Sequence, residues 1–139
     1  MVRHATPADR PVVVALLREF HTAAGCTFVF EPVRAAALFT AHMTPGACVL
    51  VTDDLTGILM ATAGDHPFGM GKVARETFWF VLPEARGRAG IELLDAYEAW
   101  ARGQGCVSVG MTALASNDVS AIYRRRGYAT IETHFTKAL

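Results

Sequence analysis

The sequence predicts an α/β fold, a mixed sheet with helices on both faces. Three observations lead there. Two short apolar runs flank a polar turn at 53–57 and read as an antiparallel hairpin. A strand–helix–strand run over 75–114 implies parallel neighbours joined by a right-handed crossover. The intervening helix is apolar on one side only, so it packs on a sheet. The chain has 139 residues, the size of one domain. Such a chain buries about two thirds of its unfolded surface and needs no staples.

The elements follow in order. After an opening strand, Thr6-Pro7-Ala8-Asp9 marks a helix start, with a Thr cap, Pro in the first turn and an acid behind it. Val13, Leu16, Leu17 and Phe20 recur at helical spacing, and Gly25 ends the helix. A second helix is expected from Pro32 to near Met43, before Thr44-Pro45-Gly46. The hairpin strands are 47–52 and 58–63. His66-Pro67-Phe68 lies in the loop that follows. The strongest strand is 75–82, aromatic and β-branched, and Pro83 closes it. The best amphipathic helix is 87–104, with Gly90, Leu93, Leu94, Tyr97 and Trp100 on one side and Glu92, Asp95 and Glu98 on the other. A strand at 107–114, a short helix at 117–126 and a last strand from Tyr128 to about Lys137 complete the chain.

Composition excludes several functions. At 52% hydrophobic and 19% charged, the chain is neither disordered nor a membrane bundle. Thirteen basic residues balance thirteen acidic ones. Nucleic-acid and membrane-surface binding need a field that this balance does not supply, so neither partner is expected. No apolar run reaches the roughly 18–20 residues of a membrane span. Met1 to Pro7 carries no apolar signal core, so a cytoplasmic location is expected. Cys26, Cys48 and Cys106 are odd in number and far apart. They read as free thiols in a reducing compartment, and no metal site is expected.

Two segments carry chemistry. Leu82-Pro83-Glu84-Ala85-Arg86-Gly87-Arg88-Ala89-Gly90-Ile91 joins the strongest strand to the best helix. Free amides at such a bend converge, the helix dipole adds about half a positive charge, and two arginines add full ones. A pyrophosphate suits that bend; a plain tight turn with solvated arginines also explains it. The second segment runs from Asn117 to Tyr128 and places Tyr123 in a short helix ahead of a glycine stop. Taken alone, Tyr123 reads as a core residue with a satisfied hydroxyl. Arg124-Arg125-Arg126 reads as a solvated helix face or as an attractor for an anionic ligand.

In this order and spacing the two segments resemble the GNAT N-acetyltransferase superfamily. That family has an Arg/Gln-x-x-Gly-x-Gly/Ala run at a strand–helix junction. An Ala-x-x-Leu/Phe-Tyr-x-x-x-Gly-Phe/Tyr element follows one helix and one strand later. Gly127-Tyr128 with Glu132, Phe135 and Lys137 matches the close of its small bacterial and phage-type members. Ala89 stands where the family has its first glycine and Ile91 where it has its last, so Gly90 takes that last place. An alanine forced to positive φ costs free energy, so a turn of different shape is expected. Ser116 holds the place of the family asparagine, and Asn117 is one residue off.

The resemblance implies a mixed, largely antiparallel sheet splayed between the strands at 75–82 and 107–114. It implies acetyl-CoA as cosubstrate, with its pantetheine arm added to the free strand edge. Trp79, Phe80 and Val81 would offer backbone groups to that arm. Arg86, Gly87, Arg88, Ala89, Gly90 and Ile91 would wrap the pyrophosphate, with Asn117 nearby and Tyr123 at the sulfur. The implied reaction is acetyl transfer to a primary amine of a small molecule or protein. An alkylamine near pKa 10 is neutral in only about one molecule per thousand at pH 7, so it must lose a proton. Tyr123 is the candidate general acid and Glu76 the candidate base. Phe28, Phe30, His66 and Phe68 are the candidate acceptor contacts. A CoA-binding module with little catalysis and a sensing or partner-binding role is the alternative; a domain for another nucleotide is a third reading. A monomer or a homodimer fits either of the first two.

Overall fold

The structure is a computed structural model describing all 139 residues. Strand β1 (Val2–His4) leads through a 3₁₀ turn (Pro7–Asp9) into helix α1 (Arg10–Ala23) and helix α2 (Pro32–Ala41). Strands β2 (Ala47–Thr52), β3 (Gly57–Asp65) and β4 (Lys72–Val81) follow, then helix α3 (Arg88–Gly103), strand β5 (Cys106–Gly110) and helix α4 (Ser120–Arg125). The five strands form one sheet in the order β1-β2-β3-β4-β5. All pairs are antiparallel except β4 with β5, which is parallel as the crossover requires.

The sheet is buried on both faces, which is why β2 and β3 read as continuous apolar runs. Val49, Val51, Ile58, Met60, Phe78 and Phe80 pack under α1 and α2 with Val13, Leu16, Leu17 and Phe39. Cys48, Leu50, Leu59, Ala61, Ala74 and Val81 pack under α3 with Leu93, Leu94 and Tyr97, and Tyr123 of α4 joins them. Burial pushes the Cys48 thiol up to about 12. Cys26 and Cys106 are free and half-buried.

Several expectations shift at their edges. The expected helix start at Thr6 opens a 3₁₀ turn instead, where Thr6 and Asp9 form a capping box, and α1 begins at Arg10. Arg3 donates two bonds, of 2.8 and 3.0 Å, to the Asp9 carboxylate and ties β1 to this start. The strand expected to reach 114 ends at Gly110. The expected last strand from Tyr128 to Lys137 is absent; no β-ladder forms there, and Tyr128 instead bonds back to the Tyr123 carbonyl and to Glu98. Thr130, Ile131, Thr133 and Phe135 give the segment β propensity, but a strand needs a neighbouring edge, and none runs beside it. Ile131 is accordingly 90% exposed and Phe135 88% exposed.

Two irregularities shape the sheet where β4 leaves β5. The β4–β5 ladder ends at the pair Arg75↔Gly110. From there to Val81, β4 has no strand on that side. On the other side the register with β3 steps between Met60↔Phe78 and Ala61↔Glu76, so Thr77 is an extra residue with no partner.

Candidate active site

The site follows from these two irregularities. The parting of β4 from β5 opens a cleft of about 220 Å³. Its walls include Glu76, Thr77, Trp79, Phe80 and Val81 of β4, and Arg86, Gly87 and Ile91 of the bend and α3. The far wall is Thr112 to Leu114, Asn117, Val119, Ile122 and Tyr123. Ser116 joins Asn117 at a shallower recess, with Phe20 of α1 bordering both.

The bend is simpler than the departures from the family run suggest. Gly87 alone needs glycine's freedom there, at φ 108° and ψ −113°. Ala89 and Gly90 already lie in α3, so Ala89 carries no backbone strain. The first bond into the helix is from Ile91 N–H to the Gly87 carbonyl, 3.4 Å. The amides of Gly87, Arg88, Ala89 and Gly90 donate to nothing in the protein. Four free donors at a helix start favour an anion. Gly90 also admits the Trp79 ring: a Cβ there would lie 3.1 Å from the indole.

The two arginines differ. Arg86 lines the cleft and donates from Nε to the Val81 carbonyl at 3.3 Å. Arg88 points outward and pairs with Glu92 one turn on, 2.7 Å away. In the run 124–126, only Arg126 is engaged, bonding Asp95 at 2.6 Å and Glu98 at 3.0 Å. It fastens α4 to α3. Arg124 and Arg125 are exposed.

Glu76 and Tyr123 converge on one residue. The Thr112 hydroxyl donates to Glu76 Oε2 at 2.7 Å, and the Thr112 amide does so at 3.3 Å. The Tyr123 hydroxyl donates to the Thr112 carbonyl at 2.6 Å. Burial raises the Glu76 carboxyl above its ordinary range, against the opposing pull of the Thr112 bonds. Burial also raises the Tyr123 phenol, and the nearby Glu76 charge adds to the rise. The hydroxyl therefore stays protonated at neutral pH. The indole N–H of Trp79 is buried without an acceptor.

The four aromatic acceptor candidates stand outside the cleft walls. Phe28 and Phe30 flank the His21 ring on the α1–α2 connection, with Phe28 70% exposed. His66 Nδ1 accepts the amides of Phe68 and Gly69 at 3.3 and 2.8 Å, closing the β3–β4 turn. Phe68 stacks edge-on against it. Thr77, Thr112 and Leu114 are site residues that the sequence does not mark. An isolated Thr or Leu carries no signal of its own; only the register step and the divergence of β4 place them.

A strand pair that parts beside four free amides is the geometry the resemblance implied. The Acetyltransferase (GNAT) family model matches residues 13–128. The chain belongs to that family. This GNAT chain is therefore an acyltransferase, and its family generally uses acetyl-CoA. Its fold is shared with solved structures of low sequence identity. A transcriptional regulator from Bacillus halodurans superposes with a TM-score of 0.80 at 18% identity, covering 100% of this chain and 99% of that one. An integron cassette protein from the mobile metagenome of Cole Harbour Salt Marsh gives 0.80 at 24% identity, covering 99% and 90%. An aminoglycoside acetyltransferase from an uncultured soil metagenomic sample, in complex with sisomicin, gives 0.74 at 16%, covering 100% and 95%. No curated protein matches the chain. No helix of this GNAT domain is long and apolar enough to cross a membrane.

Proposed function

We propose that this protein transfers the acetyl group of acetyl-CoA to a primary amine of a small molecule or protein by direct attack. The observation that carries the reading is the unpaired β4 edge, Thr77 to Val81, leading into four free amides. Acetyl-CoA supplies an acetyl group activated as a thioester. The backbone of Trp79, Phe80 and Val81 binds its extended arm as an added strand. The amides from Gly87 to Gly90 grip the pyrophosphate, with Arg86 and Arg88 adding charge and Ile91 closing the wall. Asn117 borders the arm from the far side. The buried indole N–H of Trp79 in that wall has no acceptor within the protein.

Glu76 is the base for the acceptor amine, through a water where the amine does not reach it. Its raised carboxyl makes it a better proton acceptor than a solvated glutamate. Tyr123 is the acid at the sulfur. Its hydroxyl turns from the Thr112 carbonyl toward the leaving group. A phenol raised above its usual range is a weak acid against a thiol of about 8.5, so hydrogen bonding to the developing thiolate is the larger part of its help. The backbone N–H near Val81 serves the carbonyl oxygen. The acceptor enters beside Phe20, close to the α1–α2 connection that carries Phe28 and Phe30; His66 and Phe68 stay in the β3–β4 turn, outside the cleft walls.

The test is acetyl-CoA-dependent thiol release across a panel of amines, aminoglycosides among them because one structural neighbour is an aminoglycoside acetyltransferase. Tyr123→Phe is expected to lower kcat by about 10²–10⁴-fold. Normal turnover in that variant would remove Tyr123 from the mechanism. CoA binding by calorimetry with no turnover on any amine would remove the reaction itself.

A further inference from the structure

His42 follows α2 and is buried, only 6% exposed. Its ring nitrogens are both engaged. Nδ1 lies 2.9 Å from the Leu38 carbonyl oxygen, and Nε2 lies 2.7 Å from Thr77 Oγ1. A carbonyl oxygen only accepts, so Nδ1 carries the hydrogen. In the neutral ring Nε2 is then a bare lone pair, and the Thr77 hydroxyl donates to it.

The position of Thr77 gives this pair its interest. It is the extra residue at the step in the β3–β4 register, and such a step re-aims a side chain. Thr77 is exposed and lines the cleft between Glu76 and Trp79. The hydroxyl of a residue that lines the cleft is thus bonded to a buried base whose tautomer the Leu38 carbonyl sets. A threonine that only filled the bulge would need no buried imidazole behind it. Burying a ring with two polar nitrogens costs free energy unless both are satisfied.

We propose that Thr77 and His42 form a second proton path for the acceptor amine, separate from Glu76. The inference rests on the acetyl-transfer reading above. An alkylammonium has two protons to lose, one before its nitrogen can attack and one after. In the first step the ammonium N–H bond breaks and its proton passes to Thr77 Oγ1. Thr77 releases its own proton to His42 Nε2, leaving a neutral amine and an imidazolium held at Nδ1 by Leu38. After attack, the second N–H proton goes to Glu76. The C–S bond breaks as the tetrahedral intermediate collapses, the thiolate takes the Tyr123 proton, and Glu76 passes its proton to solvent, which reprotonates Tyr123; His42 returns its proton through Thr77, the route by which it came.

Two measurements test the path. Nitrogen NMR of the imidazole in the unmodified protein reads the tautomer directly and needs no turnover. The expected result is protonated Nδ1 and bare Nε2 for His42 at neutral pH; a hydrogen on Nε2 in the neutral ring overturns the proposal. The second measurement compares one alkylamine with its analogue fluorinated beside the amino group, nearly the same size but far less basic. With the alkylamine, Thr77→Val and His42→Gln are expected to lose about 10²-fold in kcat/KM while Thr77→Ser stays within a few-fold. With the fluorinated amine, already neutral, the two losses shrink to a few-fold, whereas a Glu76→Gln loss persists. Equal losses with both amines would make Thr77 and His42 mere packing and end the proposal. A path without amine dependence leaves the acetyl-transfer reading standing; an unmodified protein that acetylates no amine removes both.

Discussion

Single residues in this protein act through what they touch. Asp9 shows it away from the cleft. The Arg3 guanidinium, the Thr6 amide and the Thr6 hydroxyl all donate to its carboxylate, and the first of these holds the carboxyl well below the usual range. A depressed carboxyl stabilises the fold above its unfolded value, near 3.9, and that stabilisation is lost progressively as pH falls below it. Asp9→Asn is expected to cost about 1–3 kcal/mol at neutral pH. Urea melts at neutral pH and below pH 3 are expected to show that difference shrinking with acid. A gap that stays constant would assign the loss to packing. At the site, Tyr123 was legible as a candidate through the family resemblance, and Glu76 through an expected strand start at 75 that the structure moves to Lys72. Their meeting at Thr112 was not, because no local pattern marks a backbone carbonyl as a shared partner.

At the scale of elements, the bend between β4 and α3 is decided by one glycine. A Cβ on Gly87 meets nothing within 4 Å, so substitution is strained by the backbone alone, at φ 108°. Gly87→Ala is expected to destabilise the fold by about 1–3 kcal/mol. If the strain is relieved by swinging the free amides apart, CoA affinity falls about tenfold for each 1.4 kcal/mol of binding lost. Thermal melts and calorimetry on the same sample measure the two effects. A variant with unchanged stability and affinity would mean that the bend tolerates a second shape. The 87–104 helix and the 47–52 strand were readable because periodicity and composition agree over their whole length. The segment after Tyr128 was misread for the opposite reason: propensity is local, whereas a strand is made by a neighbour.

At the scale of the whole molecule, the sheet is held together by a two-sided core on β2, β3 and half of β4, and is open where β4 leaves β5. Leu59 and Met60 sit on opposite faces of the middle strand and are fully buried. A ligand that completes the open edge adds stability by mass action, about 2.7 kcal/mol at a hundredfold excess over its Kd. CoA is therefore expected to raise the Tm and to slow hydrogen exchange at the amides of residues 77–81 and 87–90 together. A raised Tm with protection elsewhere would move the ligand out of the cleft. The chain alone walls this cleft from both sides.

The sequence by itself determined the order of elements from β1 to α4, the parallel crossover, the family and the glycine-bearing bend between β4 and α3. These are written in apolar periodicity and in glycine and proline punctuation, which act over a few residues. Only the tertiary structure decided where the β4–β5 ladder stops, which residue bulges from β4, and that His42 stands behind Thr77. Those are contacts between segments far apart in the chain, which no pattern of a few residues records.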